Sequence, residues 1–188
     1  MDKQKIAEQI GKIEEFVKEN VPNSRKLDDA EDYFRHVFGV RKYALKLAEI
    51  YGADIFVVEA AALLHDIGAD AGKNHAEESA IISKPLLENL NIFKEIVERI
   101  LKCIELHSMG SITKSIEEQI IQDADGIIFI EDSYKSFFED KKEKLSLGKA
   151  KEETLGKTKG MMGKIKTEAG IKLAKEFLPK AIKDIESA

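Results

Sequence analysis

Four histidines, His36, His65, His75 and His107, are the only ones in the 188-residue chain. His65 is followed at once by Asp66, inside an L-L-H-D-I-G run at Leu63–Gly68. A second acidic group, Asp123-Ala124-Asp125-Gly126, lies downstream. Imidazole nitrogen and carboxylate oxygen together are ligands for a borderline-to-hard divalent metal ion. The apolar residues Ala60–Leu64 and Ile67 flank the His-Asp pair, so Asp66 is expected to be at least partly buried. Burying a carboxylate without a partner is costly; a metal ion would compensate its charge and fix the neutral imidazole tautomer. Further ligands must then come from other segments. His36 and Asp125 both have apolar neighbours, Ile120, Ile121, Ile127 and Ile128 in the case of Asp125.

The elements that must carry these residues read as helices throughout. Ile6, Ile10, Ile13 and Val17 recur at spacings of three and four, the stripe of an amphipathic helix, which Val21-Pro22-Asn23-Ser24 ends. A longer helix is expected from about Asp28 to Tyr51, carrying His36 and stopped by Gly52. Asp54 is placed to cap a nearly all-apolar central helix, Ile55–His65, which Gly68 ends. Ala69–Asn74 is small and polar and reads as a loop. Helices follow over about His75–Asn89, with a kink at Ser83-Lys84-Pro85, and over Ile92–His107. Ser115 caps another that carries Asp125 towards Ile130. Lys141–Lys166, with glycines at 148, 156, 160 and 163, reads as mobile or interrupted, because an interior glycine costs a helix about 1 kcal/mol relative to alanine. A last helix is expected over Thr167–Leu178, interrupted at Pro179. Strand signals are scarce. The expected fold class is an all-α helical bundle, in a single domain over 1–188.

Composition bounds the function. With 43% hydrophobic and 35% charged residues, the chain has the make-up of an ordinary globular protein. A net charge of −5 argues against a nucleic-acid partner. No stretch approaches the roughly 18 apolar residues of a membrane span, and Met1–Lys18 is amphipathic and charged rather than a signal peptide. The cytoplasm is the default compartment. Cys103 is the only cysteine, so no intrachain disulfide can form; I-L-K-C-I-E-L places it as a buried helical residue rather than a nucleophile.

The order H…HD…D resembles the HD superfamily of metal-dependent phosphohydrolases, and L-L-H-D-I-G resembles its HDIG variant. Q-D-A-D resembles the family's A-D-x-L element, which selects Asp125 over Asp123; Gly126-Ile127 departs from the large residue and leucine often found there. The resemblance covers about residues 30–130 and leaves 131–188 as a helical C-terminal extension without a motif. It implies an all-α HD-domain bundle and a divalent ion held by His36, His65, Asp66 and Asp125. His75 and His107 complete the longer order H…HD…H…H…D of two-metal members, with Asp66 bridging; otherwise they contact phosphate. One ion is favoured over two. Manganese, nickel, cobalt, magnesium and iron are all candidates, and two histidines with two carboxylates suit a transition metal better than magnesium.

The activity implied is hydrolysis of a phosphoester or phosphoanhydride, in a nucleotide or another small phosphorylated metabolite, by metal-activated water. Asp66 would also orient the nucleophile, Asp70 would act as general base or orient water, and Arg35, Arg41 or Lys73 would contact phosphate. Each has a plainer explanation: surface ion pairing for Arg35 and Arg41, a solvated loop for Lys73, a helix-terminal cation for His107. A di-iron HD-fold oxygenase using the same six ligands, and a non-enzymatic regulatory module, are the alternatives. Apolar residues exposed on the first helix would allow a homodimer.

Overall fold

A computed structural model describes residues 3–23 and 30–188. The first helix, α1 (Lys3–Glu19), buries Ile10, Ile13 and Val17. Helix α2 (Ala30–Tyr51) buries Val37, Val40, Ala44, Leu47 and Ala48; its expected start at Asp28 lies outside the described residues. Gly52, at φ +64°, turns the chain where a side chain would be strained. The Asp54 carboxylate then accepts from the Phe56 and Val57 amides (3.1 and 3.3 Å) and starts α3 (Ile55–Leu64).

From Phe56 to Leu64 only Glu59 escapes burial. A helix apolar on all sides must be central, and α3 packs against α1, α2 and two later helices, α5 (Lys94–Glu105) and α6 (Ile116–Ile128). Between them, Ala69–Asn74 forms a short 3-10 turn rather than an irregular loop, with Gly72 at φ +59°. It leads into α4 (His75–Asn89), which continues through Pro85 and packs on α5. A capping box between Ser115 and Glu118 starts α6. Phe129–Ser133 continues it as one π-helical segment.

The C-terminal part departs from the expected pattern. After α7 (Tyr134–Lys144), an uninterrupted helix, α8 (Leu147–Lys164), spans most of the stretch expected to be mobile. The glycines misdirect because three of them, 148, 156 and 163, lie on the exposed face, where an added Cβ would meet nothing within 4 Å, while Gly160 lies under the Met109 side chain. The opposite face buries Ala150, Thr154, Thr158 and Met161. Both threonine hydroxyls donate to the carbonyl four residues back (2.8 Å). Helix α9 (Glu168–Ser187) likewise runs through Pro179, which lies on its exposed side. Ala174, Ala181 and Ile185 keep its buried stripe continuous. Helices α7–α9 pack over α6 and the π segment. Among the described residues there is no strand, and no helix is long and apolar enough to cross a membrane.

Candidate metal centre

Helix crossings bring the chemistry together. At Gly39, α2 meets Ile128 of α6 so closely that an added Cβ would lie 2.5 Å from the isoleucine's Cδ1. One turn earlier on each helix are His36 and Asp125, and His36 Nε2 is 3.5 Å from Asp125 Oδ1. His65 follows α3 directly and is fully buried. Gly68 donates its amide to Ser79 Oγ (2.9 Å), which ties the end of L-L-H-D-I-G to α4, the helix that begins with His75. His107 lies just beyond α5, buried.

All four imidazoles turn Nε2 inward. Nδ1–H of His65 donates to Ala62 O (2.8 Å), that of His75 to Gly72 O (2.8 Å) and that of His107 to Ile104 O (2.7 Å). A carbonyl oxygen can only accept, so the proton of each neutral ring is on Nδ1 and its Nε2 is a bare acceptor. His36 Nδ1 is 3.1 Å from Ser133 Oγ. The inward nitrogens approach in pairs, His36 and His65 at 3.2 Å and His75 and His107 at 3.0 Å. Asp66 lies between the pairs. Its Oδ2 is 3.6 Å from both His36 and His65, and its Oδ1 is 3.8 Å from His75 and 3.5 Å from His107.

Lone pairs and carboxylate oxygens at such distances repel unless cations or protons lie among them. This donor set fits a divalent metal, and two groups of three have ligand atoms within 4.8 Å of one another: His36, His65 and Asp66, and Asp66, His75 and His107. The electrostatics agree. Burial pushes the Asp66 carboxyl up, but positive charge among the surrounding imidazoles, His65 foremost, outweighs it and holds the group well below the usual carboxylate range; in the ion-free protein that charge is a proton held among the inward nitrogens. Burial lowers His107 and so favours its neutral, ligating form. Asp125 is also held low against its burial, chiefly by Lys164.

The cluster opens into a cleft of about 610 Å³. Tyr33, Phe129, Phe137 and Met161 supply apolar lining, Lys157 supplies positive charge, Lys135 is paired with Asp132 (2.7 Å), and Glu139, Asp140 and Glu143 add negative charge. Arg35 also lines the cleft, but its guanidinium is engaged by Asp32 and by Asp132 (2.8 Å). Two other residues expected near substrate do not line it. Lys73 is exposed on the 3-10 turn. Asp70, also exposed, accepts from the Asn23 amide at 2.8 Å, so its carboxylate is aimed at the chain backbone. Cys103 is buried, and burial raises its thiol, as expected of a core residue.

Sequence reasoning missed Lys164. At the end of α8, with its side chain 2% exposed, it pairs through Nζ with Asp125 Oδ2. Its signal was Gly126: a Cβ there would lie 2.8 Å from Ile165 Cγ1 and 3.1 Å from the Met161 carbonyl. The departure from the family pattern at 126–127 therefore makes room for α8. Asp123 is occupied differently. It accepts from Gln119 Nε2 (2.7 Å), the Lys166 amide (2.9 Å), and the Thr167 amide (2.9 Å) and hydroxyl (2.5 Å), so it anchors the start of α9.

Known proteins agree with this architecture. Bacillus subtilis YpgQ superposes with a TM-score of 0.75 at 24% identity, over 97% of this chain and 96% of that one. Its complex with ADP gives 0.77 at 23%, over 97% and 94%. An HD-superfamily hydrolase from Bacillus thuringiensis gives 0.71 at 24%, over 97% of each chain. At such identities the likeness shows the fold. The tRNA (cytidine(56)-2'-O)-methyltransferase of Picrophilus torridus is 32% identical over 120 residues, covering 55% of this chain; the chain spans about a third (33%) of that relative's length. The family model of the HD domain matches residues 33–129, a span that holds every inward-facing histidine together with Asp66 and Asp125. The chain belongs to the HD domain family.

Proposed function

We propose that this protein is a metal-dependent phosphohydrolase acting on a nucleotide or another small phosphorylated metabolite. The observation that carries the reading is the position of Asp66, with one oxygen facing each histidine pair. That arrangement favours two ions over the one expected from sequence: His36, His65 and Asp125 would hold the first, His75 and His107 the second, and Asp66 would bridge. When bound, such ions lower the pKa of a coordinated water towards neutrality and polarise a phosphoryl oxygen.

The chain's own residues do the rest. Carbonyls fix three imidazoles in the ligating tautomer, and that orientation is set before any ligand arrives. Lys157 lines the approach and would offset negative charge on a phosphorylated substrate, while Lys135 is engaged by Asp132 at 2.7 Å. Phe129 and Phe137, 5.8 Å apart edge to face, give an apolar wall for the non-phosphate part. YpgQ, a structural neighbour, binds ADP, which supports a nucleotide as first candidate. The six-ligand set also favours a second reading, a di-iron oxygenase.

Elemental analysis of the purified protein, coupled to hydrolysis assays on an aryl phosphate and a nucleotide panel, separates the two. Hydrolysis that depends on manganese, nickel or cobalt supports the first. Two equivalents of iron with no hydrolysis would overturn it in favour of the second.

A further inference from the structure

The segment 164–167 is gripped at both ends by the helix that carries Asp125. Lys164 Nζ meets Asp125 Oδ2, while the Lys166 and Thr167 amides are held by Asp123. Met161 and Ile165 pack over Gly126 between them. Gln119 Nε2, also on α6, reaches the Lys164 carbonyl at 3.4 Å. With the backbone of Lys164 fixed in this way and its side chain 2% exposed, the ammonium is held beside Asp125. Asp125 meanwhile turns its other oxygen to His36. Lys164 lies outside the residues matched by the family, 33–129, and does not line the cleft.

A fixed positive charge on a candidate ligand has two effects of opposite sign. Without an ion it compensates a carboxylate that burial would otherwise leave unpaired. With an ion it is a like charge held close, in surroundings that screen it poorly. From this geometry we infer that Lys164 is a built-in counter-cation of the metal site, which keeps the site preformed when it is empty and competes with the ion for the charge of Asp125. The inference rests on the metal-site reading given under Proposed function. Its consequence is a site that loads reversibly and stays folded between loadings.

The test compares wild type with Lys164→Met and Lys164→Arg, using Mn²⁺ and Ni²⁺ as probes in equilibrium dialysis and thermal melting with and without ion. Lys164→Met should bind ion roughly tenfold tighter or more, since a like charge within a few ångströms is removed. It should melt lower than wild type without ion and gain more on ion addition. Lys164→Arg keeps the charge and should stay close to wild-type affinity. Lys166→Met, altered beside the clamp but not at Asp125, should behave as wild type. Unchanged or weaker ion binding by Lys164→Met overturns the inference, and leaves the metal site standing if wild type still binds. Wild-type protein that takes up neither ion overturns both. If Lys164→Met does not fold, Lys164→Met/Asp125→Asn should, because no unpaired charge remains; a double variant that also fails assigns the lysine to packing and overturns the proposal.

Discussion

Gly39 and Ile128 touch where no side chain at 39 would fit: a Cβ would lie 2.5 Å from both Cγ1 and Cδ1 of the isoleucine. That contact sets the distance between α2 and α6, and so between His36 and Asp125. Gly39→Val should cost about 2 kcal/mol through overpacking and weaken ion binding. Gly11→Ala, in open space on α1, should instead stabilise by about 0.5–1 kcal/mol. Urea midpoints of both variants check the pair; a Gly39→Val protein as stable as wild type, with intact ion uptake, would mean the crossing relaxes freely.

Asp66 serves both halves of the cluster, so its loss should differ in kind from the loss of one imidazole. Asp66→Ala is expected to abolish ion uptake and reduce hydrolysis to background. His107→Ala should remove one of two equivalents. Metal content per chain decides this, and equal stoichiometry in wild type and His107→Ala would argue for a single ion.

Protonation should unfold the ion-free protein from the acid side. Burial lowers His107 below its ordinary 6.5. Between that value and its lower folded one, the unfolded chain binds a proton that the native chain does not, so stability falls as pH drops below about 6.5. Asp66 and Asp125, both held low, add stability above the usual carboxylate range that is lost as pH falls towards their folded values. Urea midpoints in chelator from pH 8 to pH 2 should decline in that order, and a flat profile would contradict the assignment.

The two aspartates of D-A-D should separate cleanly. Asp123→Ala leaves the Lys166 and Thr167 donors without their acceptor and should cost about 3 kcal/mol, with amide protection lost across α9. Asp125→Asn should spare α9 and lose ion affinity. Hydrogen exchange read residue by residue distinguishes them, and equal protection of α9 in both variants would refute the division of labour.

Much of this was legible in the chain. The stripe of α1, the Asp54 cap and the Ser115 box are local patterns, and local patterns survive into the fold. The six clustered side chains could be named because histidine is rare in this chain, Asp66 and Asp125 have apolar flanks, and the family resemblance orders the set. What stayed hidden depends on tertiary packing. In α8 the glycines suggest a break, yet Ala150, Thr154, Thr158 and Met161 bury a face that outweighs weak propensity. Asp70 and Lys73 follow the motif closely in sequence, but the 3-10 turn carries both away from the cleft lining. Lys164 is one lysine among many until α8 docks on Gly126, 38 positions earlier in the chain.

The π segment at Phe129–Ser133 sets a rule of length. Each residue added to or removed from a continuous helix turns all that follows by about 100°. Ser133, which stands at His36 Nδ1, and the helices that bring Lys164 back to Asp125 all lie beyond this segment. Insertions and deletions that the turn Ser108–Ser115 could absorb would here rotate the C-terminal helices out of register with the histidine–aspartate cluster. The spacing between Asp125 and Ser133 is thus as much a part of the site's signature as the residues themselves.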